Sequence, residues 1–240
     1  MRAVILAAGR GSRLLKLSST TPKCMVILKN KPLISYQIKS LSDNNIENIS
    51  VVRGYLKNKI KNNKIKKFFE NVIWQETNMV YSLFMANEWL TQEDCLVSYG
   101  DIFYSKEVVN LLANHNEDDI SITYDENFKS LWKKRFSNPL EDLETFKINK
   151  EGYILEIGNK TKDIDNIMGQ FMGLIKITKK GWEDIKSLIT IEEMRELDIT
   201  AMLSILIKKG YKVKGIPIND MWGEIDTQSD IELYEEMYEL

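Results

Sequence analysis

Leu6-Ala7-Ala8-Gly9-Arg10-Gly11-Ser12-Arg13-Leu14, followed by Pro22-Lys23, is the stretch on which the reading of this chain turns. It continues an apolar run, Ala3-Val4-Ile5-Leu6, with the composition of a buried first strand. Gly9 and Gly11 allow a tight turn and let backbone N–H groups of residues 6–12 approach a phosphate closely. Arg13 and Lys23 add two positive charges for the same polyphosphate. Pro22 fixes the backbone just before Lys23 and so delivers the lysine to a defined place. These parts predict a nucleoside triphosphate site, with Leu6, Ala7, Ala8, Gly9, Gly11 and Ser12 around the nucleotide and Arg13 and Lys23 as catalytic cations.

Neither of the two common glycine loops fits. A dinucleotide fingerprint needs a glycine three residues after Gly11, and that position is Leu14. A P-loop needs Gly-Lys-Ser/Thr, which the chain lacks. The array of Gly9, Gly11, Arg13 and Pro22-Lys23 closely resembles the signature of the sugar-phosphate nucleotidyltransferase-like superfamily, which joins a nucleoside triphosphate to a phosphorylated small molecule. Within it the chain looks most like the phosphocholine cytidylyltransferase group. The resemblance implies CTP as donor, Mg²⁺ as cofactor and a Rossmann-like, doubly wound α/β fold of the nucleotide-diphospho-sugar transferase type.

The composition sets limits. With 240 residues, one sizeable core is expected, so residues 1–240 are read as a single domain. Thirty-three basic against 35 acidic residues leave a net charge of −2, and no global field favours nucleic acid or an anionic membrane. Two cysteines, Cys24 and Cys95, suit a reducing compartment. The N-terminus reads directly as a strand rather than a signal peptide, and no apolar run approaches the roughly 20 residues of a membrane span. The expectation is a soluble cytoplasmic protein, monomeric or homodimeric.

Strands and helices alternate through residues 1–125, the nucleotide-binding part. Strand 2–8 precedes a helix over 32–44, strand 49–52, a lysine-rich amphipathic helix over 55–68 and strand 72–74. Asn78 caps a helix carrying Tyr81 and Leu83, and Cys95–Tyr99 is a central strand. This rhythm predicts a mixed, mainly parallel sheet with helices on both faces. The acceptor-side part, 126–240, begins differently. Strands 144–149 and 153–157 form a hairpin, a small β-rich insertion. Strand 170–178, helices 179–190 and 197–209, strands 213–216 and 222–225 closing the sheet, and an acidic helix follow.

Asp101 lies just beyond an apolar strand, where ligands bind in open α/β sheets. Gly100 before it permits the turn. Glu224 and Asp226 bracket Ile225, and a strand period of two puts both on one face. Hard oxygens at such an edge suit Mg²⁺ with substrate phosphates. Asp226 precedes a helix at Thr227, so capping is an alternative role. By resemblance, Asp101 and Asp226 are the metal ligands and Glu224 contacts the acceptor. With cations around the triphosphate no protein nucleophile is needed, because an acceptor phosphate or phosphonate oxygen can attack the α-phosphorus and expel pyrophosphate. His115 and both cysteines are expected to be bystanders.

Gln75, Asn78 and Ser82 open a helix after the expected strand 72–74 and resemble the cytidine-facing stretch of the family, with Tyr81 toward the acceptor. Asn78 as a plain cap and Tyr81 as core are the alternatives. The segment 154–160 resembles one ending in an acceptor-phosphate lysine, here Lys160, although Thr161 stands where a proline is usual. Trp132, Arg135 and Gln170 resemble acceptor residues of bacterial capsule cytidylyltransferases acting on phosphoglutamine, with lid or dimer packing the alternative for Trp132. The acceptor is then a small polar phosphate or phosphonate of the phosphoglutamine, phosphocholine or aminoethylphosphonate type. Rival readings are a hexose-1-phosphate nucleotidyltransferase using UTP or dTTP, a catalytically inactive nucleotide-binding regulator, and an RNA-binding module. The six lysines from Lys57 to Lys67 lack interleaved aromatics and read as a solvated face.

Overall fold

The computed structural model describes residues 1–14 and 16–239, with the side chains of Ser12, Lys16 and Leu17 outside the description. Its strands are β1 (Arg2–Ala7), β2 (Ile27–Leu28), β3 (Lys31–Pro32), β4 (Ile49–Arg53), β5 (Ile65–Glu70), β6 (Cys95–Tyr99), β7 (Ile102–Tyr104), β8 (Ile120–Asp125), β9 (Glu144–Ile148), β10 (Ile154–Lys160), β11 (Gln170–Ile177), β12 (Lys214–Ile218) and β13 (Trp222–Glu224). Its helices are α1 (Lys16–Thr20), α2 (Leu33–Ser42), α3 (Met79–Phe84), α4 (Asn87–Leu90), α5 (Lys106–Asn114), α6 (Phe128–Arg135), α7 (Lys179–Leu188), α8 (Ile191–Glu196), α9 (Ile199–Lys208) and α10 (Gln228–Met237).

A seven-stranded sheet runs in the order β12-β8-β11-β6-β1-β4-β5. All its pairings are parallel except the two made by β11, which is antiparallel to both β6 and β8. β1 and β6 are central, and Val4, Ile5, Leu96 and Val97 are fully buried, as expected of strands covered on both faces. The carboxyl ends of β1 and β6 therefore open side by side onto one edge. A Cβ on Gly100 would stand 2.5 Å from the carbonyl oxygen of Leu6, so only glycine lets the chain leave β6 this close to β1.

Three sequence expectations are corrected. The lysine-rich stretch 55–68 is not a helix. It holds a short 3₁₀ turn at Lys57–Lys59 and then β5, because Phe68 and Phe69 pair beside β4 at the sheet edge and tertiary pairing overrides local helical spacing. Residues 72–74 are a turn rather than a strand, with Val72 largely exposed and the Ile73 carbonyl accepting from the Thr77 hydroxyl and Glu76 N–H. β13 does not close the main sheet but pairs antiparallel with β7 in a separate ribbon. The expected hairpin is present as β9–β10. The sequence pattern does not separate strands β7 and β8 or helices α6 and α8 from their surroundings.

Candidate functional site

The chain leaves β1 through a loop lining a cavity of about 290 Å³, whose wall includes Leu6, Ala7, Ala8, Gly9, Gly11 and Arg13. Gly11 takes φ +65°, a left-handed conformation that glycine adopts without strain. Pro22, with φ −58°, precedes a single 3₁₀ turn at Lys23–Met25, and this turn turns Lys23 into the cavity. Gly100, Asp101 and Ser82 complete the nucleotide-side wall that the sequence predicts, and Cys24 and Met79 join them. The Cys24 thiol is pushed up to about 12 by burial, so it remains a protonated wall residue.

Lys23 lies between two carboxylates, its Nζ 2.5 Å from Asp101 Oδ2 and 2.6 Å from Asp226 Oδ1. Burial alone would lower its pKa, but Asp101, Asp226 and Glu224 reverse this and hold the ammonium above its ordinary range. Arg13 is more open and pairs with Asp226 at 2.8 Å and Asp142 at 3.2 Å. Asp226 is almost fully buried. Burial opposes its ionisation, and Lys23, Arg13 and Arg135 overcome that and depress its pKa. It does not cap α10, because Thr227 is the N-cap, paired with Asp230 in a capping box.

Asp101, Glu224 and Asp226 each present a carboxylate oxygen, and the three oxygens lie within 4.8 Å of one another. Among the described residues Asp101 Oδ1 is buried with no hydrogen-bond partner. Three convergent hard oxygens, with an unpartnered carboxylate oxygen on one of the three residues, fit a divalent cation such as Mg²⁺. Burial first, then Asp226 and Asp101, pushes the Glu224 carboxyl up, as expected of like charges gathered where a cation belongs.

A second cavity, of about 260 Å³, adjoins the first and shares Arg13 and Met79 with it. Its wall is acidic, with Asp142, Glu144, Asp198 and Glu224, and it includes Gln170, Tyr99 and Thr200. The Thr200 hydroxyl lies 3.0 Å from Asp198 Oδ1 and 3.4 Å from Glu144 Oε2, tying these two acids together. Burial, opposed by Lys160 and assisted by Asp198, raises the Glu144 pKa. The Tyr99 phenol is pushed up by burial and then by Asp198, Asp101, Glu224 and Glu144, a second sign of negative potential here.

Several sequence-predicted residues stand elsewhere. Trp132 is fully buried and donates its indole N–H to Asp142 Oδ2 at 3.0 Å, so it packs α6 rather than receiving an acceptor. The Arg135 side chain is likewise fully buried against carboxylates and lines neither cavity. Gln75 and Asn78 are exposed and outside both cavity walls. Asn78 caps α3 by accepting from Met79 N–H and donates to the Glu196 carbonyl. Tyr81 packs against Phe84 and Arg195, also outside them. Lys160 is exposed at the end of β10, 3.9 Å from Glu144, near the second cavity but not in its wall. The Ser12 side chain lies outside the described residues. His115 pairs with Asp118, away from the site. Glu144, Asp142 and Asp198 were missed, and Asp198 also caps α9, a role that hid it among ordinary N-caps.

The family described as nucleotidyl transferase matches residues 2–127. The chain belongs to the nucleotidyl transferase family. It is 40% identical to the CTP:phosphoglutamine cytidylyltransferase of Campylobacter jejuni subsp. jejuni serotype O:2, an alignment covering 97% of this chain and 98% of that protein. Two solved structures share its fold. One is the inositol-1-phosphate CTP transferase from T. maritima, with TM-score 0.77 and 23% identity over 95% of this chain and 90% of that one. The other is the CTP:phosphocholine cytidylyltransferase LicC from Streptococcus pneumoniae, with TM-score 0.73 and 24% identity over 98% of each chain. No helix among the described residues is long and apolar enough to cross a membrane.

Proposed function

We propose that the chain is a Mg²⁺-dependent cytidylyltransferase whose acceptor is a small phosphate or phosphonate bearing a cationic group. In this reaction an acceptor oxygen bonds to the α-phosphorus of CTP. The bond from that phosphorus to the β-phosphate oxygen breaks, and pyrophosphate leaves with the electron pair. The observation that carries the reading is the junction of the two cavities at Arg13, with Asp101 on the nucleotide side and Glu224 on the other. A triphosphate along the loop and an acceptor in the second cavity meet there.

CTP as donor is supported by the similarity to the Campylobacter protein across nearly the whole of both chains. Four acidic residues in the second cavity would repel a purely anionic acceptor, so charge complementarity favours one whose far end is an ammonium. Phosphoglutamine, phosphocholine and aminoethylphosphonate all meet that requirement, and a hexose phosphate does not. Asp101, Asp226 and Glu224 would hold Mg²⁺, which supplies charge neutralisation for the triphosphate. Arg13 and Lys23 orient the phosphates and stabilise the charge that grows on the leaving group.

A pyrophosphate-release screen tests this, crossing CTP, UTP, dTTP and GTP with the three ammonium-bearing acceptors and glucose 1-phosphate. CTP with an ammonium-bearing acceptor is expected to lead. Preference for glucose 1-phosphate with UTP or dTTP moves the chain to sugar activation. Nucleotide binding without pyrophosphate release in any pairing makes it a regulator.

A further inference from the structure

We propose that Arg135 is a positioning residue for the carboxylate face of the site. Its guanidinium holds Asp226 and Glu224 from behind and so aims Asp226 Oδ1 at the cavity junction. The inference rests on the reading of Asp101, Glu224 and Asp226 as a cation site.

The geometry divides the two oxygens of Asp226 cleanly. Oδ2 faces Arg135 Nη2 at 3.2 Å, whereas Oδ1 faces Lys23 Nζ at 2.6 Å and Arg13 Nη2 at 2.8 Å. Arg135 Nη1 reaches Glu224 Oε2 at 3.4 Å, and Nε reaches Asp230 Oδ1 at 2.9 Å. The other oxygen of Asp230 accepts from the N–H groups of Asp226 at 2.9 Å and Thr227 at 2.8 Å. One guanidinium thus fixes the side chains at 224 and 226, and its anchor Asp230 fixes the backbone between Ile225 and Thr227. The plane of the fork is itself set, because its central carbon lies 4.9 Å from the Trp132 ring and 5.0 Å from the Phe136 ring.

A stability role alone accounts poorly for this arrangement. Burying an arginine among three carboxylates stabilises a fold little better than apolar packing of the same volume would. What it gives is direction and permanence. Arginine stays protonated at any working pH, so the carboxylates keep a countercharge whether or not a cation is bound. A lysine would keep the charge but could not span Asp226, Glu224 and Asp230 with one planar fork.

The test uses Mn²⁺ as the probe, titrated into the full chain with CTP and no acceptor and read by water-proton relaxation. Loss of a group that orients metal ligands typically weakens metal affinity about 10–100-fold. Arg135→Lys, shown to be folded by circular dichroism, is expected to weaken Mn²⁺ binding by that factor. In turnover it should raise the half-saturating Mg²⁺ concentration and lower kcat while the KM for the acceptor moves little. Should Arg135→Lys not fold, Asp230→Asn carries the test, since it frees Nε and should weaken Mn²⁺ binding in the same direction. Mn²⁺ binding within twofold of wild type in either folded variant overturns the proposal. Wild-type protein that retains no Mn²⁺ beyond that bound by CTP overturns the cation site itself, and the two failures are thereby distinct.

Discussion

The side chain of Lys23 lies across Gly11, where a Cβ would stand 3.0 Å from Lys23 Cδ, 3.1 Å from its Cβ and 3.2 Å from its Cγ. The glycine turn and the lysine, twelve residues apart in a motif read as separate parts, are one mechanical unit. Gly11 supplies both a left-handed turn and the floor on which the lysine stem rests.

Gly11→Ala should therefore act twice. A left-handed alanine costs about 1–2 kcal/mol, and the added methyl pushes the lysine stem off its floor. Thermal stability should fall modestly and kcat should fall by more than the stability loss predicts. Gly9→Ala is the contrast, since a Cβ there meets nothing within 4 Å among the described residues. It should leave stability within about 0.5 kcal/mol of wild type and raise the KM for CTP, because the open space is where phosphates approach. Equal KM values for the Gly9→Ala variant and wild type would remove the loop from nucleotide binding.

Lys23→Ala should lower kcat at saturating CTP by roughly 10²–10³-fold, the usual cost of removing one preorganised group that meets transition-state charge. Saturation separates this from weakened binding. The variant should also be less stable, because Asp101 and Asp226 would face each other without their shared ammonium. Near-normal kcat would mean that the lysine balances the acids and nothing more.

That the glycine loop, Lys23 and Asp101 face one cavity could be anticipated from the sequence, because each sits where backbone rules place it: after an apolar strand, after a proline, beyond the carboxyl end of β6. The second cavity could not. Glu144 comes from a hairpin and Asp198 from a helix cap, and only the packing of α9 against β10 brings them together through Thr200. Trp132 and Arg135 misled for the opposite reason. Aromatic and arginine side chains have the composition of a ligand pocket, and nothing local shows that α6 turns both inward. The lysine stretch 55–68 carries helical spacing, and only pairing with β4 makes its end part of β5.

Because Trp132 is buried, its replacement should register as stability. Trp132→Ala is expected to cost about 3–5 kcal/mol, as for other large core aromatics. Trp132→Phe should cost about 1–3 kcal/mol by leaving Asp142 Oδ2 without its indole donor. Denaturant unfolding measures both. The phenylalanine variant should keep the wild-type KM for the acceptor, and a large rise in that KM would return the tryptophan to the acceptor site.

Glu144→Gln removes one charge from the acidic wall while keeping its shape. The KM for an ammonium-bearing acceptor should rise by about tenfold, the equivalent of about 1.4 kcal/mol, with the KM for CTP nearly unchanged. Preference over glucose 1-phosphate should shrink accordingly. An unchanged preference would show that the wall does not read the cationic end.

The last expectation concerns Asp101 and Asp226, which lie 125 residues apart in the sequence yet share Lys23. If both also hold the cation, each contributes to one bound ion, and losing either disables the same unit. Asp101→Asn and Asp226→Asn should each depress kcat strongly. The double variant should be little worse than the poorer single one, since residues acting as a unit are non-additive. Stability should separate them. Among the described residues the Asp101 carboxylate pairs with Lys23 and leaves Oδ1 bare, so its amide should be nearly neutral in the free protein. Asp226 is enclosed by Lys23, Arg13 and Arg135, so its amide should cost about 1–3 kcal/mol through weakened charged hydrogen bonds. Urea unfolding without nucleotide and kcat with excess Mg²⁺ give the two readings independently. Additive kcat losses in the double variant would assign the aspartates separate tasks and leave the shared cation without support.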